Sequence, residues 1–282
     1  MVSAAQTSED KDGLVQCAST LLFVPGDRPD RFGKAAAAGA DIVVLDLEDA
    51  VAEKDKATAR AHVVHWLSDG GRGCVRINAA DGPDHLDDVD ALAGLSGLVA
   101  VMVPKAVESV DYADLRRMLR CPVIALVESA AGIVDSTVIA RDPNVARLAF
   151  GHLDYAVDIG ARPTQRAMLH ARSQLVLASR LAGKPAPIDG VTTALNDPAA
   201  LLDDVEHAIE VGMAGKLLIH PAQVGPIRRA LHPSAEDIGR AQRIVAAASL
   251  GAAVEVDGSM VDAPVVAAAQ RLLQGLPARS TR

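Results

Sequence analysis

Eight short apolar runs alternate along this chain with segments of helical pattern, and that alternation leaves few folds open. The runs lie at residues 20–25 (TLLFVP), 41–47 (DIVVLDL), 74–77 (CVRI), 98–103 (LVAVMV), 123–127 (VIALV), 148–150 (LAF), 187–191 (PIDGV) and 216–219 (KLLI). Most are apolar almost without a break, as strands are when both faces of their sheet are covered. A strand that returns through a helix to the same sheet runs parallel to its predecessor, so the alternation predicts a parallel sheet. Eight such units in roughly 200 residues is the size of a closed (β/α)8 TIM barrel. An open doubly wound sheet is the second reading, but neither GxGxxG nor GxxxxGK[ST] occurs in the sequence to support it.

Helix signals fall between the runs. Pro29 suits the first turn of a helix over 31–38, which Gly39 ends. Helices are also expected over 53–68, 87–95 and 162–182, from a Ser109 cap through 120, and from an Asp197 cap with Pro198 first and Gly212 past the end. Residues 233–282 exceed the eight units. Ser234 and Asp237 open a helix to about 250, residues 251–258 read as a linker, and 260–273 as a last helix. The expected plan is a loose tail (1–18), a barrel (19–232) and a helical arm (233–282). The arm has no room in a closed core, so it packs outside it or on a neighbouring subunit.

Composition narrows the partners. The net charge is −8 with no long basic run, which argues against nucleic acid. Aromatic residues make up 2% of the chain, too few to offer stacking platforms for bases. No apolar run approaches the ~18 residues of a membrane span. The opening MVSAAQTSEDKDG carries acids and lacks the apolar stretch of a secretory signal. Cys17, Cys74 and Cys121 form no CxxC, and an odd count suits free thiols in a reducing compartment. A cytoplasmic location is expected.

The chemistry is signalled by position. Nearly every apolar run ends on polar groups: Glu48 and Asp49, Arg76 and Asn78, Lys105, Glu128, Asp154, Asp189, His220. In a barrel these strand ends share one rim, where sites of this fold are built. Residues 122–158 form one β-α-β unit, so Glu128 and the Gly151-His152-Leu153-Asp154 segment end neighbouring strands. Two carboxylates that close repel unless they share a proton or a cation. An oxygen-rich pair suits Mg²⁺, with Mn²⁺ as a substitute, and leaves coordination positions for substrate. On those two residues alone, acids that cap helices or bond to surface lysines are the simpler reading. Acids gathered with Arg76 and Lys105 suit an anionic substrate around a cation. GxSxG and HExxH are absent, and His62 and His65, three apart on one helix, read as surface. Lys105 keeps Schiff-base chemistry open, although flanking acids favour its protonated amine.

Segments spread along the chain resemble a known family. They are LLFVPGDRPDRFGKAAAAGADIVVLDLEDAV (21–51), VRIN (75–78), MVPKAVES (102–109), ALVESAAGI (125–133) with FGHLDYAVDIG (150–160), GKLLIHPAQV (215–224) and GSMVDAPVV (258–266). In this order they resemble the citrate lyase β-subunit-like members of the HpcH/HpaI aldolase superfamily, which also holds malyl-CoA and citramalyl-CoA lyases. The resemblance implies a TIM barrel with Mg²⁺ held by Glu128 and Asp154, and Arg76 on the substrate's carboxylate and carbonyl end. It implies that Asp262 comes from an adjacent subunit and handles a proton; read alone, Asp262 is a cap for the last helix. Asp46, Glu48 and Lys105 become supporting or water-holding groups, and Arg28 and Arg31 lie near CoA phosphates. Main-chain groups of Gly151, His152 and Leu153 touch substrate. Many relatives have a small or acidic residue where this chain has His152-Leu153, which bears on acyl-group specificity. Homotrimers or hexamers are implied.

The implied activity is reversible cleavage of a 3-hydroxyacyl-CoA, such as citramalyl-CoA or malyl-CoA, to pyruvate or glyoxylate and an acyl-CoA. Coenzyme A enters as part of the substrate. Three alternatives stay open. They are the citryl-ACP lyase activity of a citrate lyase β-subunit, a Schiff-base 2-oxo-acid aldolase using Lys105, and an acyl-CoA binder without turnover.

Overall fold

The computed structural model describes residues 4–248, 254–257 and 259–274. Seven strands form one parallel sheet: β1 (Thr20–Pro25), β2 (Ile42–Asp46), β3 (Gly73–Arg76), β4 (Leu98–Val103), β5 (Val123–Val127), β6 (Val145–Phe150) and β7 (Lys216–Leu218). Their order is β6-β5-β4-β3-β2-β1-β7, so sequential strands are neighbours and β7 returns beside β1. The expected strand at 187–191 is not a full strand. Ile188 bridges Ala149 of β6 and Asp189 bridges Lys216 of β7, each as a single parallel bridge. Pro187 and Gly190 flank this pair, and neither residue type extends a strand ladder well.

The strands alternate two cores. Leu22, Val24, Val43, Leu45, Val75 and Val101 face one apolar cluster, and Leu21, Val44, Cys74, Ala100, Met102 and Ile124 face a second. Period-two alternation with apolar residues on both faces explains the unbroken runs in the sequence. The helices of this unit are α1 (Ala4–Cys17), α2 (Phe32–Ala37), α3 (Lys56–Ser68), α4 (His85–Leu92), α5 (Tyr112–Leu119), α6 (Ala130–Arg141), α7 (His152–Asp158), α8 (Gln165–Leu181), α9 (Pro198–Val211) and α10 (Val224–Leu231).

Two expectations need correction here. The described part of the N-terminal segment, residues 4–18, is not a loose tail: Val15 of α1 and Ala18 just past its end join the second cluster, with Leu14 packed against it. Buried Arg147 holds the end of α1, donating to the carbonyls of Val15, Gln16 and Ala18 and to those of Ala186 and Ala214. The cap of α5 is Asp111, whose side chain accepts from the Asp114 N–H, rather than Ser109. The Asp197 cap, with Pro198 first and Gly212 in the left-handed region past the end, is as the sequence indicates. No helix among the described residues is long and apolar enough to cross a membrane.

The chain divides into two compact units, the second covering His232–Arg282. That unit holds α11 (Ala235–Ala248), a hairpin of β8 (Val254–Val256) and β9 (Ser259–Val261), and α12 (Ala263–Gln274). The stretch read as a linker therefore contributes a strand. Ala241, Ile244, Val261 and Ala269 form the unit's own core.

Candidate functional site

Parallel strands deliver their C-terminal ends to one rim, and the site is built there. Asp46 ends β2 and Arg76 ends β3, and the two are direct register partners in the sheet. Register places their side chains on the same face, and the guanidinium binds the carboxylate in a fork. Nε donates to Oδ1 at 2.7 Å and Nη2 to Oδ2 at 2.6 Å. Arg76 also lies over the Phe23 ring, 5.0 Å from its centroid. Glu48 oxygens stand 2.9 Å from Arg76 Nη1 and 3.2 Å from Lys105 Nζ. Neither contact is aligned as a hydrogen bond, so what they supply is charge attraction. Burial works against the Arg76 charge, yet Asp46 and Glu48 outweigh it and raise its pKa. Buried Lys56 locks the loops behind this pair, donating to the carbonyls of Leu47 and Glu48 and to Asn78 Oδ1.

Glu128 follows β5 directly. Its Oε1 accepts the Lys105 N–H at 2.7 Å. Lys105 adopts a left-handed backbone, φ 48°, a conformation that costs a non-glycine residue energy and concentrates at functional sites. Glu128 Oε2 is enclosed and has no hydrogen-bond partner. Burial pushes Glu128 up to about 8, with the charges of Glu48 and Asp154 adding to the push. Asp154 sits in the first turn of α7 and lies at the open mouth. Burial and then Asp49 raise its pKa. Both carboxylates line one cavity of about 450 Å³.

The two acids fit a hard divalent cation on their own chemistry. A buried carboxylate oxygen without a donor, with a second carboxylate on the same cavity, is a site that positive charge would stabilise. Among the described residues no cluster of three or more His, Cys, Asp or Glu side chains has metal-holding geometry. A two-carboxylate site is what Mg²⁺ uses when water and substrate complete its shell. Gly151 shapes this pair, because a Cβ there would stand 2.5 Å from both Cβ and Oε2 of Glu128. Gly151→Ala should therefore displace Glu128, weaken Mg²⁺ binding by about 10-fold or more and, because the clash reaches the Glu128 Cβ, cost about 1–3 kcal/mol of stability. Unaltered affinity in a calorimetric titration would remove Gly151 from the site.

The sequence-derived residues divide into three groups. Arg31, Asp46, Arg76, Glu128, Gly151, His152, Leu153 and Asp154 line the cavity, and Glu48 and Lys105 reach it through the contacts above. Arg28 is not among the lining residues; it pairs with Asp30 at the surface. Asp262 belongs to the second unit, where its Oδ1 accepts the Val265 N–H at the start of α12. Asp189 and His220 are not rim ligands. His220 caps the turn at Pro221–Gln223. Asp189 is fully buried between Arg172 and Lys216. Sequence reasoning missed those two cations, Lys56, and the aromatic seat of Arg76. A charged residue inside an apolar run, as Lys216 opens KLLI, was the available signal. Burial lowers the His152 pKa to about 4, so its imidazole is neutral.

Comparison with known proteins gives an independent line. The family profile described as HpcH/HpaI aldolase/citrate lyase matches residues 19–221. The citrate lyase subunit beta-like protein of Mycobacterium tuberculosis is 39% identical over 262 residues, covering 90% of this chain and 93% of that protein. The (3S)-malyl-CoA thioesterase of Cereibacter sphaeroides is 33% identical over 256 residues, covering 86% of this chain and 89% of that protein. The crystal structure of the CitE protein of M. tuberculosis with magnesium, acetoacetate and coenzyme A matches with TM-score 0.80 and 37% identity. That match covers 92% of this chain and 97% of the other.

Proposed function

Because the chain belongs to the HpcH/HpaI aldolase/citrate lyase family, we propose that it is a magnesium-dependent carbon–carbon lyase acting on a 3-hydroxyacyl-CoA such as citramalyl-CoA or malyl-CoA. The observation that supports this most directly is the unpaired, buried Oε2 of Glu128 on the cavity that Asp154 also lines. We read the single bridges at Ile188 and Asp189 as the eighth strand position, which closes the sheet into a (β/α)8 barrel.

Glu128 and Asp154 would hold the ion, which when bound polarises the substrate's hydroxyl and carboxylate oxygens. Arg76 grips the substrate carboxylate. Of its five N–H groups, two donate to Asp46, and Glu48 attracts the guanidinium without taking an aligned hydrogen bond, which leaves three without a protein acceptor to meet the substrate. Asp46 and Glu48 are thus orienting groups for Arg76. As the hydroxyl proton passes to a water in the cavity, the bond between the hydroxyl carbon and the α-carbon of the thioester breaks. Its electron pair passes to the acyl half as an enolate, and the hydroxyl carbon becomes the carbonyl of a 2-oxo acid. In this reading the protein is a homo-oligomer, trimer or hexamer, in the cytoplasm, and Asp262 of a second copy protonates the enolate. Arg31, on the cavity, and Arg28 would face the CoA phosphates.

Asp262→Asn keeps a side-chain oxygen for the cap and removes the acid. Stability should hold within a few tenths of a kcal/mol while kcat falls by about 10²–10⁴-fold. Unchanged kcat would reject the role.

Three rivals are separable. Lys105 is a poor Schiff-base nucleophile here: burial lowers its pKa, but Glu48 outweighs that and raises it, so the amine stays protonated. The thioesterase relative favours hydrolysis of the thioester instead. A coupled assay for pyruvate or glyoxylate, with a parallel assay for free thiol, decides among these readings. Release of 2-oxo acid without free thiol, lost in EDTA and restored by Mg²⁺, is the expected result. Free thiol alone supports hydrolysis, and thermal stabilisation by acyl-CoA without either product supports a binder.

A further inference from the structure

Among the described side chains that line the cavity, His152 is the one polar group that is neither a carboxyl nor a guanidinium. It is 8% exposed, and the protein accounts for only one of its ring nitrogens. Nδ1 is enclosed and has no hydrogen-bond partner. It faces the backbone of Gly190, where an added Cβ would stand 2.1 Å from Nδ1 and 3.0 Å from Cε1. No water fits between ring and chain at that spacing. An imidazole carries a hydrogen on one or both of its ring nitrogens. An enclosed N–H without an acceptor is rarer in folded interiors than an unpaired acceptor. The proton therefore sits on Nε2, which is neither enclosed nor paired with the protein and opens on the cavity.

The ring also lies at a defined end of that cavity. Its neighbour Gly151 abuts Glu128, and Asp154 follows two residues later on α7. His152 thus belongs to the carboxylate end, where the lyase reading puts the 2-oxo acid. Phe150 lies beside it, ring centroids 6.2 Å apart, and the uncharged side chains lining the rest of the cavity are hydrocarbon, Val191 and Leu217 among them.

We propose that His152 is a specificity-determining residue whose Nε2 N–H donates to an oxygen on the substituent of the 2-oxo acid. Among the 3-hydroxyacyl-CoA substrates open to the lyase reading, the site would then favour one whose 2-oxo-acid half carries oxygen on its substituent over citramalyl-CoA and malyl-CoA, whose pyruvate and glyoxylate halves carry none. The proposal rests on the lyase reading of this cavity. A ligand without that oxygen displaces water from a buried donor and leaves it unpaired, which lowers affinity by about 10- to 100-fold.

The test is calorimetric titration of the full chain, in saturating Mg²⁺, with 3-hydroxypyruvate and with 2-oxobutyrate, which differ by CH₂OH against CH₂CH₃. Wild type should prefer 3-hydroxypyruvate by about 10-fold or more. His152→Leu should abolish the preference, and His152→Gln, whose amide is a donor, should restore part of it. Equal affinities in wild type, or a preference that survives in His152→Leu, would overturn the proposal and leave the lyase reading standing. Binding of neither acid by wild type would overturn both.

Discussion

Asp189→Ala is expected to destabilise the protein by about 3–5 kcal/mol, the cost of leaving buried cations without their carboxylate. Asp189 accepts from Arg172 Nε at 2.8 Å and Nη2 at 3.2 Å, and from Lys216 Nζ at 2.8 Å. Lys216 is fully buried and reaches one further carboxylate, Asp204, at 2.6 Å. Arg172 lies 3.7 Å from the same group. Removing Asp189 leaves two cations to one half-buried acid. A loss of this size is a large share of a typical folding free energy of about 5–15 kcal/mol. The network sits where Asp189 and Lys216 bridge, so the loss should weaken the link between β6 and β7.

The same group sets an acid response. Burial pushes the Asp189 carboxyl up, but Lys216 and Arg172 overcome it and hold it at about 2, below the ordinary value near 3.9. A folded-state pKa depressed in this way gives stability that is present above the unfolded value. It is lost as pH falls through the folded one, here from about pH 4 to pH 2, and amounts to about 2–3 kcal/mol. Urea titrations of wild type and Asp189→Asn between pH 7 and pH 2 check both statements. The variant should be less stable at pH 7 and should show a shallower acid slope. Equal stability at pH 7 would mean that the network contributes nothing.

Arg76→Lys is expected to lower kcat/KM on the order of 10³-fold although it keeps the charge. The guanidinium meets Asp46 with two parallel bonds, attracts Glu48, rests on Phe23 and still has three N–H groups to give. A lysine ammonium is a single point on a flexible stem. It can satisfy Asp46 or the substrate, but not both in one plane. The carboxylate it abandons would be buried without a partner, so a drop in melting temperature should accompany the loss of activity. Activity within about tenfold of wild type would show that the fork geometry is not what positions the substrate.

The sequence made the strand ends legible because parallel strands leave no choice about where those ends go. Asp46 and Arg76 lie near the ends of apolar runs, Glu128 directly follows one and Asp154 comes four residues after another, and the structure gathers them on one cavity. What the sequence could not separate was a rim carboxylate from a buried one. Asp189 looks like Glu128 in one dimension, and the difference lies in Arg172 and Lys216, which arrive from α8 and β7. The N-terminal helix was hidden for a related reason. Its acids and lysine read as a solvated segment, and only the approach of Arg147 to its last carbonyls shows that its end is held. The turn of α7 that places Asp154 begins at His152 without a side-chain cap to announce it. The hairpin β8–β9 spans three residues on each side, too short for its period to register beside a glycine-rich stretch.

Metal binding at Glu128 and Asp154 is the claim on which the function rests. It is tested most directly by titrating Mn²⁺, in place of Mg²⁺, into wild type, Glu128→Gln and Asp154→Asn, with free Mn²⁺ read by its EPR signal. Wild type should take up one ion per chain, and each variant should lose about 100-fold or more in affinity while keeping its melting temperature. Wild-type affinity in both variants would contradict the account.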